Sequence, residues 1–345
     1  MRMLRRLFFG ASFLTLSIAS LYCLALITGF SATHVLSATP VPSSAPVTAD
    51  EIVAEDMPGE ETPEQTAPAA ETSKPVEAAA DQTVKGKIIR KTVDSSGANL
   101  KYNRIYVKNG TSKTVDLKAE LLAGVSLRLA DTKEPQVLIV HTHTTECYLS
   151  EQREYYTASD KTRSTNDSEN VVAVGEVLKA GLEKKGIGVV HAAEKHDYPE
   201  YTGSYNRAAD TINRYLKKYP TIRVVIDLHR DSITADDGSK TAVVTEIDGR
   251  SAAQVMLVAG CEDGSVTGFP NWRDNFRLAI KLQQTMEVMY PSLARPILFT
   301  PRKYNLHLTT GSLLIECGTE ANTLEEAKYS AELIAAALAS TLRLL

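Results

Sequence analysis

The sequence predicts an α/β chain. It should have a mostly parallel sheet with helices on both faces, preceded by one N-terminal transmembrane helix and a disordered linker. Three observations carry this expectation. From Gln136 onward, short apolar β-branched runs alternate with stretches of helical spacing. Leu7–Phe30 is a run of 24 residues without a charge. Thr39–Lys85 holds seven of the 14 prolines, ten acidic residues and only two basic ones.

A helix over 7–30 rises about 36 Å, enough to cross a ~30 Å hydrocarbon core with some tilt. Arg2, Arg5 and Arg6 precede it, and no Lys or Arg follows until Lys74. That asymmetry puts the N-terminus in the cytoplasm and the rest outside. A cleaved signal peptide fits less well. Its apolar core is normally about 7–15 residues, and Ser37-Ala38-Thr39 is a poor cleavage site. Residues 1–38 are therefore read as a cytoplasmic start and an uncleaved anchor. Residues 39–85 cannot bury enough apolar surface to offset their ordering entropy, and read as an acidic, self-repelling tether. A flexible chain of that length spans about 35–40 Å. From Gly86 on, 33 basic and 32 acidic residues nearly cancel. A near-neutral domain excludes nucleic-acid binding driven by phosphate neutralisation. Beyond Cys23 the chain has Cys147, Cys261 and Cys317. An odd number is not a disulfide framework, and buried free thiols are expected. A Cys147–Cys317 bridge would need the two segments to be neighbours.

Residues 86–135 are read as a lead-in packed on the main domain, with a strand and an Asn-Gly turn in IYVKNG and a short helix in DLKAELLAG opened by Asp116. Residues 136–345 are read as one domain. VLIVH is a strand. Ser168–Lys185 is a helix with Val171, Val174, Leu178 and Leu182 on one face. GIGVVHA is a strand, Tyr205–Lys218 a helix ended by Pro220, and RVVIDLH a strand. TAVVTEI and AQVMLVAG are two more apolar runs. Trp272–Tyr290 is a long helix. PILFT is expected at a sheet edge because of Pro296. SLLIE is a strand, and Thr323–Leu344 is the last helix.

Three apolar runs end in imidazoles or carboxylates: VLIVHTHTTE (His141, His143, Glu146), RVVIDLH (His229) and SLLIECGTEANTLEEA (Glu316). In open α/β sheets ligands bind outside the carboxyl ends of the strands. Hydrolytic zinc takes three protein ligands and keeps one position for water, with a separate carboxylate as acid/base. The chain offers His143 and His229 as Zn2+ ligands, Glu169 or Glu146 as the third, and Glu316 as the acid/base. His141 remains the alternative to His143. There is no HExxH and no G-x-S-x-G, so zincin and serine-hydrolase readings fail. A lone His at a strand end is ordinarily a hydrogen-bonded structural residue; three such ends together argue against coincidence. Asn206, Arg207, Lys303, Tyr304, Asn305 and His307 are candidates to grip a substrate, with plain loop polarity as the competing reading. Trp272, the only Trp, is better read as core than as a sugar platform.

VLIVHTHTTECY, ENVVAVGEVLKAGLEKKGIGVVH, VVIDLHRDS, PNWRDNFRLAIKLQ and KYNLHLTTGSLLIECGTEANTLEEA, with the N-terminal anchor, resemble the stage II sporulation protein P family. These are membrane-anchored cell-wall hydrolases of endospore-forming bacteria, and the similarity covers about Tyr102 to the C-terminus. The family in turn is similar to zinc-dependent N-acetylmuramoyl-L-alanine amidases, an α/β fold. The resemblance implies zinc held by His143, Glu169 and His229, with Glu316 catalytic and followed by Asn322 and Glu325. The first strand departs from the glycine-rich turn of the wider amidases, which keeps His141 and Glu146 as alternatives. Arg230 and Asp231 replace small or amide residues and are assigned to substrate binding, as is Asn322. The resemblance further implies peptidoglycan as substrate, endopeptidase action, and a role in engulfment during sporulation. It places the domain between the mother-cell and forespore membranes, with stage II sporulation proteins D and M as partners. A catalytically weak wall-binding or scaffold protein in the same place is the rival.

Overall fold

The computed structural model describes residues 83–345. The anchor read over 7–30 and nearly all of the acidic linker lie outside the described residues. Among those described, no helix is long and apolar enough to cross a membrane.

Among the described residues, twelve strands build two sheets. Strand β1 (Val84–Lys91) opens the described chain. A hairpin follows, β2 (Leu100–Tyr102) and β3 (Ile105–Asn109), then α1 (Leu117–Leu122). Asp116 caps α1 as expected, its carboxylate accepting from the Lys118 and Ala119 N–H groups. Next come β4 (Val137–Val140), β5 (Tyr155–Thr157), α2 (Val171–Glu183), β6 (Val189–His191), α3 (Ser204–Lys218) and β7 (Val224–Asp231). The chain ends with β8 (Lys240–Ile247), β9 (Arg250–Ala253), β10 (Val255–Gly260), α4 (Trp272–Met289), β11 (Ile297–Thr300), β12 (Ser312–Thr319) and α5 (Leu324–Leu344).

The larger sheet runs β2-β3-β11-β10-β12-β7-β4-β6, and the smaller β5-β1-β8-β9. Both are mixed: the mostly parallel pairing expected from the sequence holds for five of the seven pairings in the larger sheet but only one of the three in the smaller. In the larger sheet β12, β7, β4 and β6 pair in parallel, but β10 meets β12 antiparallel and β2–β3 is a hairpin. The apolar run AQVMLVAG hides the cause. It breaks at buried Gln254, whose amide bonds to both backbone groups of Val93 and to the Ser292 carbonyl. The chain passes there from the small sheet to the large one. The edge-strand reading of PILFT is also corrected: β11 lies between β3 and β10. Pro296 stands just before the strand, so its missing N–H falls outside the ladder.

Alternation along the strands sorts the core. Val137, Ile139, Ile226 and Leu228 face the large cluster under α2, α4 and α5, whereas Leu138, Val140 and Val225 pack with Ile212 of α3. Helices thus cover both faces, and the carboxyl ends of β4 and β7 open between α2 and α3. Trp272 belongs to the core, packed on Phe276 and Phe299.

Asn322, read as a substrate contact, is fully buried instead. Its amide oxygen accepts from the Thr319 and Val243 N–H groups, and its nitrogen donates to the Val243 carbonyl and to Glu326. It therefore ties the end of β12 to β8 and to the capping box of α5. Asn322→Ala leaves several buried polar groups unpaired and should cost about 2–3 kcal/mol, read as a lower denaturant midpoint.

Candidate active site

β7 and β12 pair in a register that sets Glu316 opposite His229. The pairing is interrupted just beyond, between Glu316 and Thr319, where Gly318 adopts φ +72°. A Cβ at Gly318 would stand 2.8 Å from the Ala253 Cβ, so a side chain is excluded there. Along β7, Asp227 and His229 share one face.

The HTHTTE segment leaves β4 at Val140 and is fastened at nearly every residue. Thr142 donates to Asp227 from its N–H (2.8 Å) and its hydroxyl (2.6 Å). The Thr144 hydroxyl lies within hydrogen-bond distance of both the His141 and Glu194 carbonyls. Thr145 donates to Asp197, which is also paired with Arg163 at 2.7 Å. Glu146 accepts from the Arg230 N–H at 3.1 Å. Tyr148 donates to the Cys317 carbonyl.

This turn sends its two histidines apart. His141 is fully buried toward α2, its Nδ1 2.7 Å from the Leu228 carbonyl and its Nε2 2.7 Å from His191 Nε2. A carbonyl only accepts, so Nδ1 carries the hydrogen, and Nε2 takes one from His191. His191 Nδ1 in turn faces Glu176 at 2.8 Å. Gly175 makes room for the pair, since a Cβ there would lie 2.7–2.8 Å from both rings. Burial, with the His191 charge, pushes His141 down to about 3, so it stays neutral. No nitrogen of His141 remains for a metal. His143 instead stacks on Tyr201 (centroids 4.9 Å) and meets the His229 ring edge-on at 5.3 Å. Its Nδ1 is buried without a partner.

Three carboxylates surround His229. Its Nδ1 lies 3.5 Å from Glu146 and its Nε2 2.9 Å from Asp227. The second contact pairs the ring with the Asp227 carboxylate, and Glu316 Oε2 is sealed from solvent without a hydrogen-bond partner. Burial alone would lower the pKa of His229, but Asp227 and Glu146 hold it well above the usual value. Burial would likewise raise Glu146, yet its contact with His229 and the Arg230 charge hold it below the carboxylate range. Glu316 goes the other way. Burial, with Asp231 and Glu146 nearby, pushes it up to about 8 against the pull of His229.

Glu169 does not join this group. It is exposed, accepts from the Ser164 hydroxyl at 2.9 Å, and lines a separate cavity of about 430 Å³ with Cys147, Asp160, Lys161 and Glu325. It precedes Asn170, the cap of α2. Glu146 stands where the third ligand was expected. Arg230 is corrected as well. Alternation turns it to the opposite face from His229, and its buried guanidinium donates to the Cys147 and Thr162 carbonyls. Arg207 is spent on the His196, Thr202 and Glu200 carbonyls. Asn206 is exposed on α3. His307 is partly buried beside Phe269, with burial lowering its pKa. Cys147, Cys261 and Cys317 are free and buried.

Asp227 stands beside His229, the pairing that their shared strand face predicts, whereas sequence reasoning missed Tyr201 and Tyr205 altogether. The i, i+2 spacing of Asp227 and His229 was the available signal. The tyrosines gave none, since they reach the site only through the placement of α3.

The donor types fit a zinc ion: two imidazoles, a carboxylate, and buried nitrogens left unpartnered. Among the described residues, however, no three such side chains are already closed on a common point. In this state a proton on His229 balances the carboxylates, and a cation would compete for that place.

This is an α/β protein with an imidazole–carboxylate site at the carboxyl ends of β4, β7 and β12. The chain belongs to the stage II sporulation protein P family, whose model matches residues 44–339, which bears out the resemblance seen in its residue clusters. It is 30% identical over 208 residues to stage II sporulation protein P of Bacillus subtilis (strain 168), a match over 56% of this chain and 48% of that one. The chain therefore spans about half the length of that curated relative. Among solved structures, N-acetylmuramoyl-L-alanine amidase AmiC2 of Nostoc punctiforme gives a TM-score of 0.34 at 14% identity, over 62% of this chain and 97% of that one. The amidase Ami1 of Mycobacterium smegmatis gives 0.36 at 11%, over 63% and 100%. Likeness at this level assigns no residue and no chemistry.

In the metal-free chain the two raised groups act in one direction. His229 stabilises the fold fully below its unfolded value of 6.5 and ceases to as pH rises through its folded value. Glu316, raised from 4.5 to about 8, does the same over a window from 4.5 to about 8. The unfolding midpoint of metal-free protein should therefore fall between about pH 6 and pH 9, and His229→Gln should flatten that slope. A midpoint that rises over this range would contradict the assignment.

Proposed function

We propose that this chain is a zinc-dependent peptidoglycan hydrolase, an N-acetylmuramoyl-L-alanine amidase that cuts the amide between the muramyl lactyl group and L-alanine. The observation that carries the reading is the gathering of His143, His229, Glu146 and Glu316 at the ends of β4, β7 and β12, with His143 Nδ1 and Glu316 Oε2 buried and without a hydrogen-bond partner. Such atoms are costly to bury unless a ligand uses them. His143, His229 and Glu146 are the residues that would hold the ion. When bound, zinc supplies a Lewis acid for the carbonyl and an acidified water.

The chain's own groups do the rest. Asp227, fixed by Thr142, orients the His229 ring. The Arg230 N–H holds Glu146 in place. Glu316 takes a proton from the attacking water as its oxygen bonds to the carbonyl carbon. It returns that proton to the amide nitrogen as the C–N bond breaks. Its high pKa in the metal-free chain suits a group that must hold a proton between the two events, and a neighbouring cation would draw that value toward neutrality.

Engulfment during sporulation, endopeptidase action, a place between the mother-cell and forespore membranes, and stage II sporulation proteins D and M as partners complete the reading. They rest on family membership. With the anchor and tether of residues 1–85, the site would work on wall near its own membrane.

Glu316→Gln should keep bound zinc and lose cleavage of purified sacculi by ~10²–10⁴-fold, measured as release of soluble peptides. Full activity in that variant would remove Glu316 from the mechanism. A wild-type chain that binds sacculi yet releases nothing would favour a wall-binding scaffold.

A further inference from the structure

Four tyrosines stand near the site, and three have committed hydroxyls. Tyr148 donates to the Cys317 carbonyl. Tyr201 lies 3.4 Å from His143 Nε2. Tyr304 is bonded to Arg302. Tyr205 differs: among the described residues no hydrogen bond occupies its hydroxyl. Its ring meets His143 edge-on at 5.6 Å and lies 5.8 Å from Tyr304.

The backbone of Tyr205 is held from two sides. Asn305, itself at φ 57°, donates from its amide nitrogen to the Tyr205 carbonyl at 2.8 Å. Arg207, one residue pair further along α3, donates to the Glu200 and Thr202 carbonyls and so closes the loop leading into the helix. With its backbone tied to Asn305, its ring set against His143 and Tyr304, and its hydroxyl unspent, Tyr205 is a preorganised donor.

Hydrolysis of the amide needs such a donor. The carbonyl oxygen gains negative charge when water adds, and a fixed O–H or N–H strengthens as that charge grows. A neutral phenol suits a site already crowded by Asp227, Glu146 and Glu316. We propose that Tyr205 is a catalytic residue whose hydroxyl donates a hydrogen bond to the carbonyl oxygen of the scissile amide. No proton is transferred; the bond is made as charge develops and released when the C–N bond has broken. This inference rests on the amidase reading given above.

The test is Tyr205→Phe in the full chain, which keeps the ring and its contact with His143. On a soluble glycan–peptide substrate kcat should fall by ~10²–10³, with KM, bound zinc and melting midpoint unchanged. Activity within threefold of wild type overturns the proposal. So does a loss of kcat that comes with lost zinc or a lower midpoint, because the hydroxyl would then be supporting His143. Glu316→Gln, assayed in parallel, separates the two ideas. If it is dead while Tyr205→Phe is fully active, the amidase reading stands and the donor falls. If the wild-type chain cleaves nothing, both fall.

Discussion

The parallel pairing of β7 with β12 places Glu316 opposite His229, and the site depends on that register. Adjacent strands lie about 4.8 Å apart, so the two groups are neighbours by construction rather than by side-chain choice. A slip of one residue would turn Glu316 to the other face of the sheet. The bulge at Gly318 then ends the pairing, and buried Asn322 locks the bulge to β8 and α5. The last helix, the small sheet and Glu316 are thus one mechanical unit.

The second constraint is the turn after β4. It is held by Asp227, Asp197, the Arg230 N–H and the Cys317 carbonyl. Each tie uses a Thr, Glu or Tyr of THTTECY, so that segment is as much a fastening as a source of ligands. The same turn divides its histidines, His141 neutral and buried against His191, and His143 beside His229. What gathers at the site is an excess of carboxylate around one imidazole. Asp227 and Glu146 favour a proton on that imidazole.

Much of this was legible in the sequence. Apolar runs ending in His229 and Glu316 marked the strands, and Asp116, Asn170 and Thr323 mark the helix starts. The mixed sheet was not legible, because an apolar run does not carry its direction, and AQVMLVAG reads as one strand until Gln254 is seen to bridge two sheets. Nor was the third carboxylate. Glu169 and Glu146 are equally polar in sequence, and only the path of the turn brings Glu146 to 3.5 Å from His229 while Glu169 faces solvent. Arg230, Arg207 and Asn322 look like ligand-binding residues because they are polar beside a site; the two guanidinium groups donate to backbone carbonyls, and the Asn322 amide accepts from buried N–H groups and donates to the Val243 carbonyl and Glu326.

The central claim is that His143, His229 and Glu146 hold the cation against which Glu316 works. Zinc-edge X-ray absorption on the full chain, run on wild type, Glu146→Gln and Glu169→Gln, tests it most directly. The account predicts two imidazoles and carboxylate oxygen around one zinc in wild type, the same shell in Glu169→Gln, and a lost or altered shell in Glu146→Gln. An unchanged shell in Glu146→Gln together with a lost one in Glu169→Gln would contradict it.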